Sequence, residues 1–218
     1  MTAGDSASDS LDAACDALLE LAHRAAESGL LASTCGNASV RVGDARMLIT
    51  GAGTSLATLA RADIAVVALV DGAHLDGPRP SMETGFHRRA YVARPLAGAV
   101  LHCQSRAATV LACAAEPPEN LDLIPEVPAY VRRHAYADWA LPGTDALADA
   151  VGRALADPDV TIVQMRNHGQ VIVGASGREV IRRGVFFEMA CAMAVSGVAL
   201  CTIPEADARA LRDMARDV

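Results

Sequence analysis

Short apolar runs, cut by glycine-containing turns and alternating with helical stretches, constrain this chain most. Residues 98–105 (GAVLHCQS), 160–165 (VTIVQM) and 169–175 (GQVIVGA) are long enough for strands and too short for typical helices. SVRV (39–42) and MLIT (47–50) flank Gly43-Asp44, which predicts a hairpin with its tip at that pair. IAVVALVDGAHL (64–75) predicts a further strand followed by a turn. Apolar residues at helical spacing predict helices over 9–30, ending near Gly29, over 87–94 and over 106–116. Further helices are predicted over 145–157, with Asp145 suited to the positive end of the helix dipole, over 178–200, and after Pro204. The proline-rich stretch 117–144 reads as irregular. The order α-β-β-β-α-β-α-β-β-α implies an α/β chain with a mainly antiparallel central sheet flanked by helices.

Neither an internal repeat nor a dividing linker interrupts the 218 residues, so 11–218 reads as a single domain behind a flexible leader over 1–10. Hydrophobic residues make up 52% and aromatic residues only 3%, so the core must be packed from small side chains. The leader lacks the basic-then-apolar order of a signal peptide, and no apolar run approaches the ~18 residues of a membrane span. A cytoplasmic protein with no membrane partner is the expectation. The six cysteines form no C-x-x-C pair, and most of them read as small buried hydrophobes rather than a disulfide framework. A net charge of −7 argues against nucleic acid as a partner.

All 19 basic residues are arginine. Without a lysine there is no Schiff base and no Walker phosphate loop. Carbonyl chemistry on such a chain needs another electron sink, and a metal ion is the obvious one.

His102 and His168 each close an apolar strand, where a side chain is delivered to a fixed place at the sheet's edge. Imidazole there is the commonest metal ligand, although satisfied histidines at strand ends are common too. His87 follows Glu83 by four residues, so a helix would place both on one face, with a structural hydrogen-bonding role at least as natural as a functional one. His23 reads as a capping or surface residue, His74 as a turn residue, and His134 as part of the irregular segment.

Five segments, GNASVR (36–41), LITGAG (48–53), PSMETGFH (80–87), VLHCQS (100–105) and NHG (167–169), occur in the order and spacing of class II aldolase/adducin proteins. The chain resembles that family over about residues 11–205. The resemblance implies the class II aldolase-like α/β fold. It implies Glu83 as catalytic acid/base, His102 and His168 as zinc ligands, and Asn37, Gly53 and Ser81 as substrate-binding positions. It also implies a homotetramer with sites at subunit boundaries. The activity it implies is retro-aldol cleavage of a hydroxyketone or sugar-derived substrate, through an enediolate whose charge a divalent ion stabilises. Decarboxylation or dehydration of a sugar acid on the same site, and a non-catalytic adducin-like oligomeric binding protein, are the alternatives.

Three departures matter. The family's His-x-His strand motif reads His102-Cys103-Gln104 here, and Cys103 cannot substitute because alternate residues point to opposite faces. Three readings stay open. Gln104 ligates through its carbonyl oxygen and accepts zinc or another divalent metal; Glu83 completes the ligand set; or no metal is held. Met82 stands where the family often has a second serine, and Ala52 precedes Gly53 in the bend. Phosphate would then depend on backbone N–H groups, Asn37 and an arginine. Otherwise the substrate is non-phosphorylated, or carries a carboxylate or an apolar group that Met82 contacts.

Overall fold

The computed structural model describes residues 3–215. Helix α1 (Ala3–Glu27) leads into the hairpin β1 (Asn37–Val42) and β2 (Arg46–Thr50). Strands β3 (Ile64–Ala68) and β4 (His74–Asp76) follow, then α2 (Thr84–Ala93), β5 (Ala99–Cys103) and α3 (Arg106–Ala112). After a π-helical turn (Val127–Val131) come β6 (Arg133–Ala137), α4 (Asp145–Ala154), β7 (Val160–Met165) and β8 (Gly169–Gly174). The long α5 (Gly177–Ala194) and short α6 (Glu205–Met214) complete the described chain.

The eight strands form one sheet in the order β4-β3-β2-β1-β5-β8-β7-β6. Every ladder is antiparallel except β6–β7, which is parallel. Strand alternation sorts the apolar side chains into two cores, one on each face. Val40, Leu101, Ile172 and Phe187 pack with Leu18 and Leu21 of α1 on one face. On the other, Met47, Val100, Val171 and Val163 pack with Phe86 and Tyr91 of α2 and Val151 of α4. The second face matters for the site. On β5, Leu101 and Cys103 belong to the first core and Val100 to the second, so His102 shares the α2 face with Val100. On β1, Ala38, Val40 and Val42 belong to the first core, so Asn37, Ser39 and Arg41 turn toward α2.

The expected helices and the hairpin at Gly43-Asp44 are present, and the sheet is mainly antiparallel. Two strands escape the sequence reading. His74 begins β4 rather than lying in a turn, and it pairs with Val67. Within the proline-rich stretch, β6 pairs in parallel with β7, its extended residues lying outside any alternating apolar pattern. Helix α1 also begins before residue 9. Residues 1–2 and 216–218, and the side chains of 3–9, lie outside the described residues, and the expected leader over 1–10 falls largely on these. Among the described residues no helix is long and apolar enough to cross a membrane.

Candidate metal centre

Glu83 caps the N-terminus of α2, where its backbone N–H donates to Oγ of Ser81 at 3.2 Å. Its side chain is buried between two imidazoles. Oε1 lies 3.1 Å from Nε2 of His168, and Oε2 lies 3.5 Å from Nε2 of His102. The three residues offer ligand atoms that all lie within 4.8 Å of one another. Strand β5 delivers His102, and the turn between β7 and β8 delivers His168.

That turn is tight. Asn167 adopts φ +54°, a left-handed conformation that asparagine tolerates better than most residues. The N–H of His168 closes the turn on the carbonyl of Met165 at 3.1 Å. Gly169 follows, and a Cβ there would lie 2.5 Å from the carbonyl oxygen of Cys103 and 2.8 Å from Cγ of Gln104. Nε2 of Gln104 donates to the carbonyl of His168 at 2.8 Å, tying the end of β5 to the same turn.

Burial opposes ionisation of Glu83, but the hydrogen bond with His168, the charge of His102 and the donation from Asn37 outweigh it and hold the carboxyl at about 2. Glu83 is therefore an anion at neutral pH. Burial pushes His102 below the usual imidazole range, although Glu83 pulls the other way. Nδ1 of His102 is 2.9 Å from the carbonyl of Gln170, which can only accept, so Nδ1 carries the proton. In the neutral ring Nε2 then presents a lone pair toward a carboxylate. Two electron-rich atoms held face to face are what a cation between them would relieve. Nδ1 of His168 is also buried with no hydrogen-bond partner. Two imidazoles and a carboxylate suit zinc and other borderline divalent ions, so the residues present fit a metal.

Glu83 is held from the sheet side as well. Nδ2 of Asn37 donates to its Oε2 at 2.8 Å, and Oδ1 of Asn37 lies 2.6 Å from Nε2 of His87. Both ends of the Asn37 amide are thus engaged within the protein. His87 is fully buried, and burial holds its imidazole at about 3, so it is neutral.

All seven residues singled out from the sequence, Asn37, Gly53, Ser81, Glu83, His102, Gln104 and His168, line one cavity of about 470 Å³. Thr34, Arg79, Met82 and Pro142 line it too. Arg79 is the sole cationic side chain among the lining residues, and its place immediately before the PSMETGFH segment was a usable signal. Pro142 comes from a distant loop, and no local pattern marks it. A larger cleft of about 570 Å³ lies beside α6, away from the cluster. Its charges pair largely with one another, as in Arg132–Asp159 and Arg212–Asp122, so size alone does not make it the site. Of the other histidines, His23 binds the carbonyl of Leu59, His74 is exposed, and His134 lines that larger cleft.

A helix-flanked, mainly antiparallel sheet with a buried Glu/His/His cluster at its strand ends defines an α/β protein with a divalent-metal type of site. The chain belongs to the family described as Class II Aldolase and Adducin N-terminal domain, whose profile matches residues 16–195. It is 31% identical over 162 residues to 3-oxo-tetronate 4-phosphate decarboxylase of Haemophilus influenzae, covering 72% of this chain and 75% of that protein. It is 42% identical over 95 residues to methylthioribulose-1-phosphate dehydratase of Pectobacterium carotovorum, covering 44% of this chain and 46% of that one. In fold it is similar to a solved L-fuculose 1-phosphate aldolase, with a TM-score of 0.83, 23% identity, and coverage of 93% of this chain and 96% of that one.

Proposed function

We propose that this protein is a divalent-metal-dependent lyase that cleaves the bond between the α- and β-carbons of a small hydroxyketone or sugar-derived anion, by retro-aldol chemistry. The placement of the Glu83 carboxylate between His102 and His168 carries the reading. His102, His168 and Glu83 would hold the ion, and zinc suits that set. Nε2 of Gln104 donates to the His168 carbonyl, so Oε1 is the atom Gln104 has to offer an ion. A bound divalent ion supplies Lewis-acid stabilisation of negative charge developing on substrate oxygen.

The chain's own residues do the rest. Glu83 would accept or return the proton once substrate takes its place among the donors, held by Asn37 on one oxygen and facing His168 with the other. Arg79, with the bend at Gly53 and Ser81, forms the polar end of the cavity and suits a phosphate or carboxylate. Met82, 66% exposed beside Glu83, offers an apolar contact to the substrate's remaining part.

A second reading, decarboxylation of a 3-oxo sugar acid, is favoured by the Haemophilus influenzae relative that matches most of the chain. Glu83, after taking a proton from solvent, would then pass it to the carbon left behind. Incubating metal-loaded protein with phosphorylated and free ketoses and with 3-oxo sugar acids separates the readings. Aldehyde release supports retro-aldol cleavage, and carbon dioxide supports decarboxylation. Turnover of none, with no metal bound, would leave a non-catalytic binding protein.

We also propose a cytoplasmic homotetramer with sites at subunit boundaries. Trp139 and Leu141, on the loop that brings Pro142 to the cavity, are exposed apolar side chains that a neighbouring subunit would cover. Light scattering on the purified protein tests this, and a monomer at working concentration would end it.

A further inference from the structure

Helix α2 and strand β1 run past each other with matching repeats. Four residues of helix advance about 6 Å and two residues of strand about 6.8 Å. Glu83, His87 and Tyr91 on one helix face can therefore interleave with Asn37 and Ser39 on one strand face. They do so in buried hydrogen bonds: Tyr91 Oη to Ser39 Oγ at 2.9 Å, Ser39 Oγ to His87 Nδ1 at 2.7 Å, His87 Nε2 to Asn37 Oδ1 at 2.6 Å, and Asn37 Nδ2 to Glu83 Oε2 at 2.8 Å.

The direction of every bond is forced. The Glu83 carboxylate only accepts, so Asn37 must present its NH₂ there and its carbonyl oxygen to His87. His87 must therefore carry its proton on Nε2. Its bare Nδ1 accepts from the Ser39 hydroxyl, which leaves the Ser39 oxygen to accept from Tyr91. An amide flip at Asn37 would aim an acceptor at the carboxylate and set NH₂ against the N–H of His87. The histidine thereby forbids the flip.

We infer that His87 is a positioning residue that fixes Glu83 through Asn37, as the middle link of a one-way hydrogen-bond chain that starts at Tyr91 and ends on Glu83. The inference rests on Glu83 being the working carboxylate of the proposed metal site. A histidine that merely fills space would tolerate either tautomer. This one does not.

Two measurements test the chain. Nitrogen NMR of the imidazoles in the metal-free protein at neutral pH is expected to show His87 protonated on Nε2 alone. Protonation on Nδ1, or on both nitrogens, overturns the inference. Titration of the metal-free protein with Co²⁺ is then compared for wild type, His87→Gln and His87→Leu. Loss of an outer-shell partner costs roughly tenfold or more in metal affinity, so His87→Leu is expected to bind that much more weakly. His87→Gln, which keeps an N–H donor toward Asn37, is expected to stay close to wild type. Equal loss in both variants, or none in either, overturns the inference. Should His87→Leu fail to fold, Ser39→Ala is the smaller excision. It strips Nδ1 of its donor and is expected to add a second set of His87 ring signals, and an unchanged spectrum overturns the chain. A wild-type protein that binds no Co²⁺ would end the metal reading, while the tautomer measurement would still decide the chain.

Discussion

Asn37 and His102 are direct partners across the β1–β5 ladder, so the residue that holds Glu83 and a residue that would hold the metal stand side by side on one rung of the same sheet face. Backbone pairing fixes their separation before any ligand arrives. A site built on such rungs is preorganised. Glu83 and His168 complete it from a helix N-terminus and a tight turn.

One divalent ion per chain is expected in protein purified without chelators. His102→Ala and His168→Ala should each remove it, because either leaves too few donors. Elemental analysis of the three proteins checks this, and a full complement of metal in either variant would falsify the assigned ligands.

Gln104→Ala should weaken metal binding by about tenfold without abolishing it, since the amide's bond to the His168 carbonyl orients a ligand from outside. Competition against a chelator of known affinity measures the change. An unchanged affinity would mean that the tight turn at Asn167 alone holds His168.

Gly169→Ala should destabilise the fold by about 1–3 kcal/mol, the usual penalty for overpacking. The new Cβ would meet backbone, the Cys103 carbonyl at 2.5 Å, which cannot swing aside as a flexible side chain would. Denaturant unfolding gives the value, and a wild-type midpoint would show that β5 and β8 can separate freely at this rung.

Glu83→Gln should lower kcat by roughly 10²–10⁴ on whichever substrate is turned over, the range for loss of a general acid–base group. An amide keeps the shape but cannot take up a proton. Steady-state kinetics decides the point: near-wild-type turnover would move the proton transfer to another group.

Stability should fall as the solution is acidified below about pH 6.5, where an unfolded histidine begins to titrate. Burial holds the imidazoles of His87 at about 3 and of His134 at about 4, so both stay neutral in the folded chain. Between those values and 6.5 the unfolded chain binds protons that the folded chain does not, which makes stability rise with pH across the window. Unfolding free energies measured from pH 7 to pH 4.5 should show that slope, and His134→Gln should flatten it. An equal slope in the variant would clear His134 of any part.

Much of this was legible in the sequence because it depends on local period. Alternation along residues 98–105 separates His102 from Cys103, and the four-residue spacing puts Glu83 and His87 on one helix face. What escaped depends on pairing. Strand β6 has no alternating pattern of its own and extends only because β7 offers it a parallel edge, and β4 is a three-residue strand held by β3. Pro142 lines the cavity through a loop whose course no neighbouring residue dictates.

The sequence by itself determined which residue types were available and which face of its own element each would occupy. An absent lysine, a carboxylate four residues before a histidine and two histidines closing apolar strands were all there to be read. Only the tertiary structure decided that Asn37, Glu83, His102 and His168 meet, that both ends of the Asn37 amide are already engaged, and that the Gln104 amide turns to the His168 carbonyl. The physical reason is that side-chain direction follows from backbone period, whereas the distance between elements is set by how sheet and helices pack. Hydrogen-bond direction is settled later still, by which atoms that packing leaves with a single permitted role.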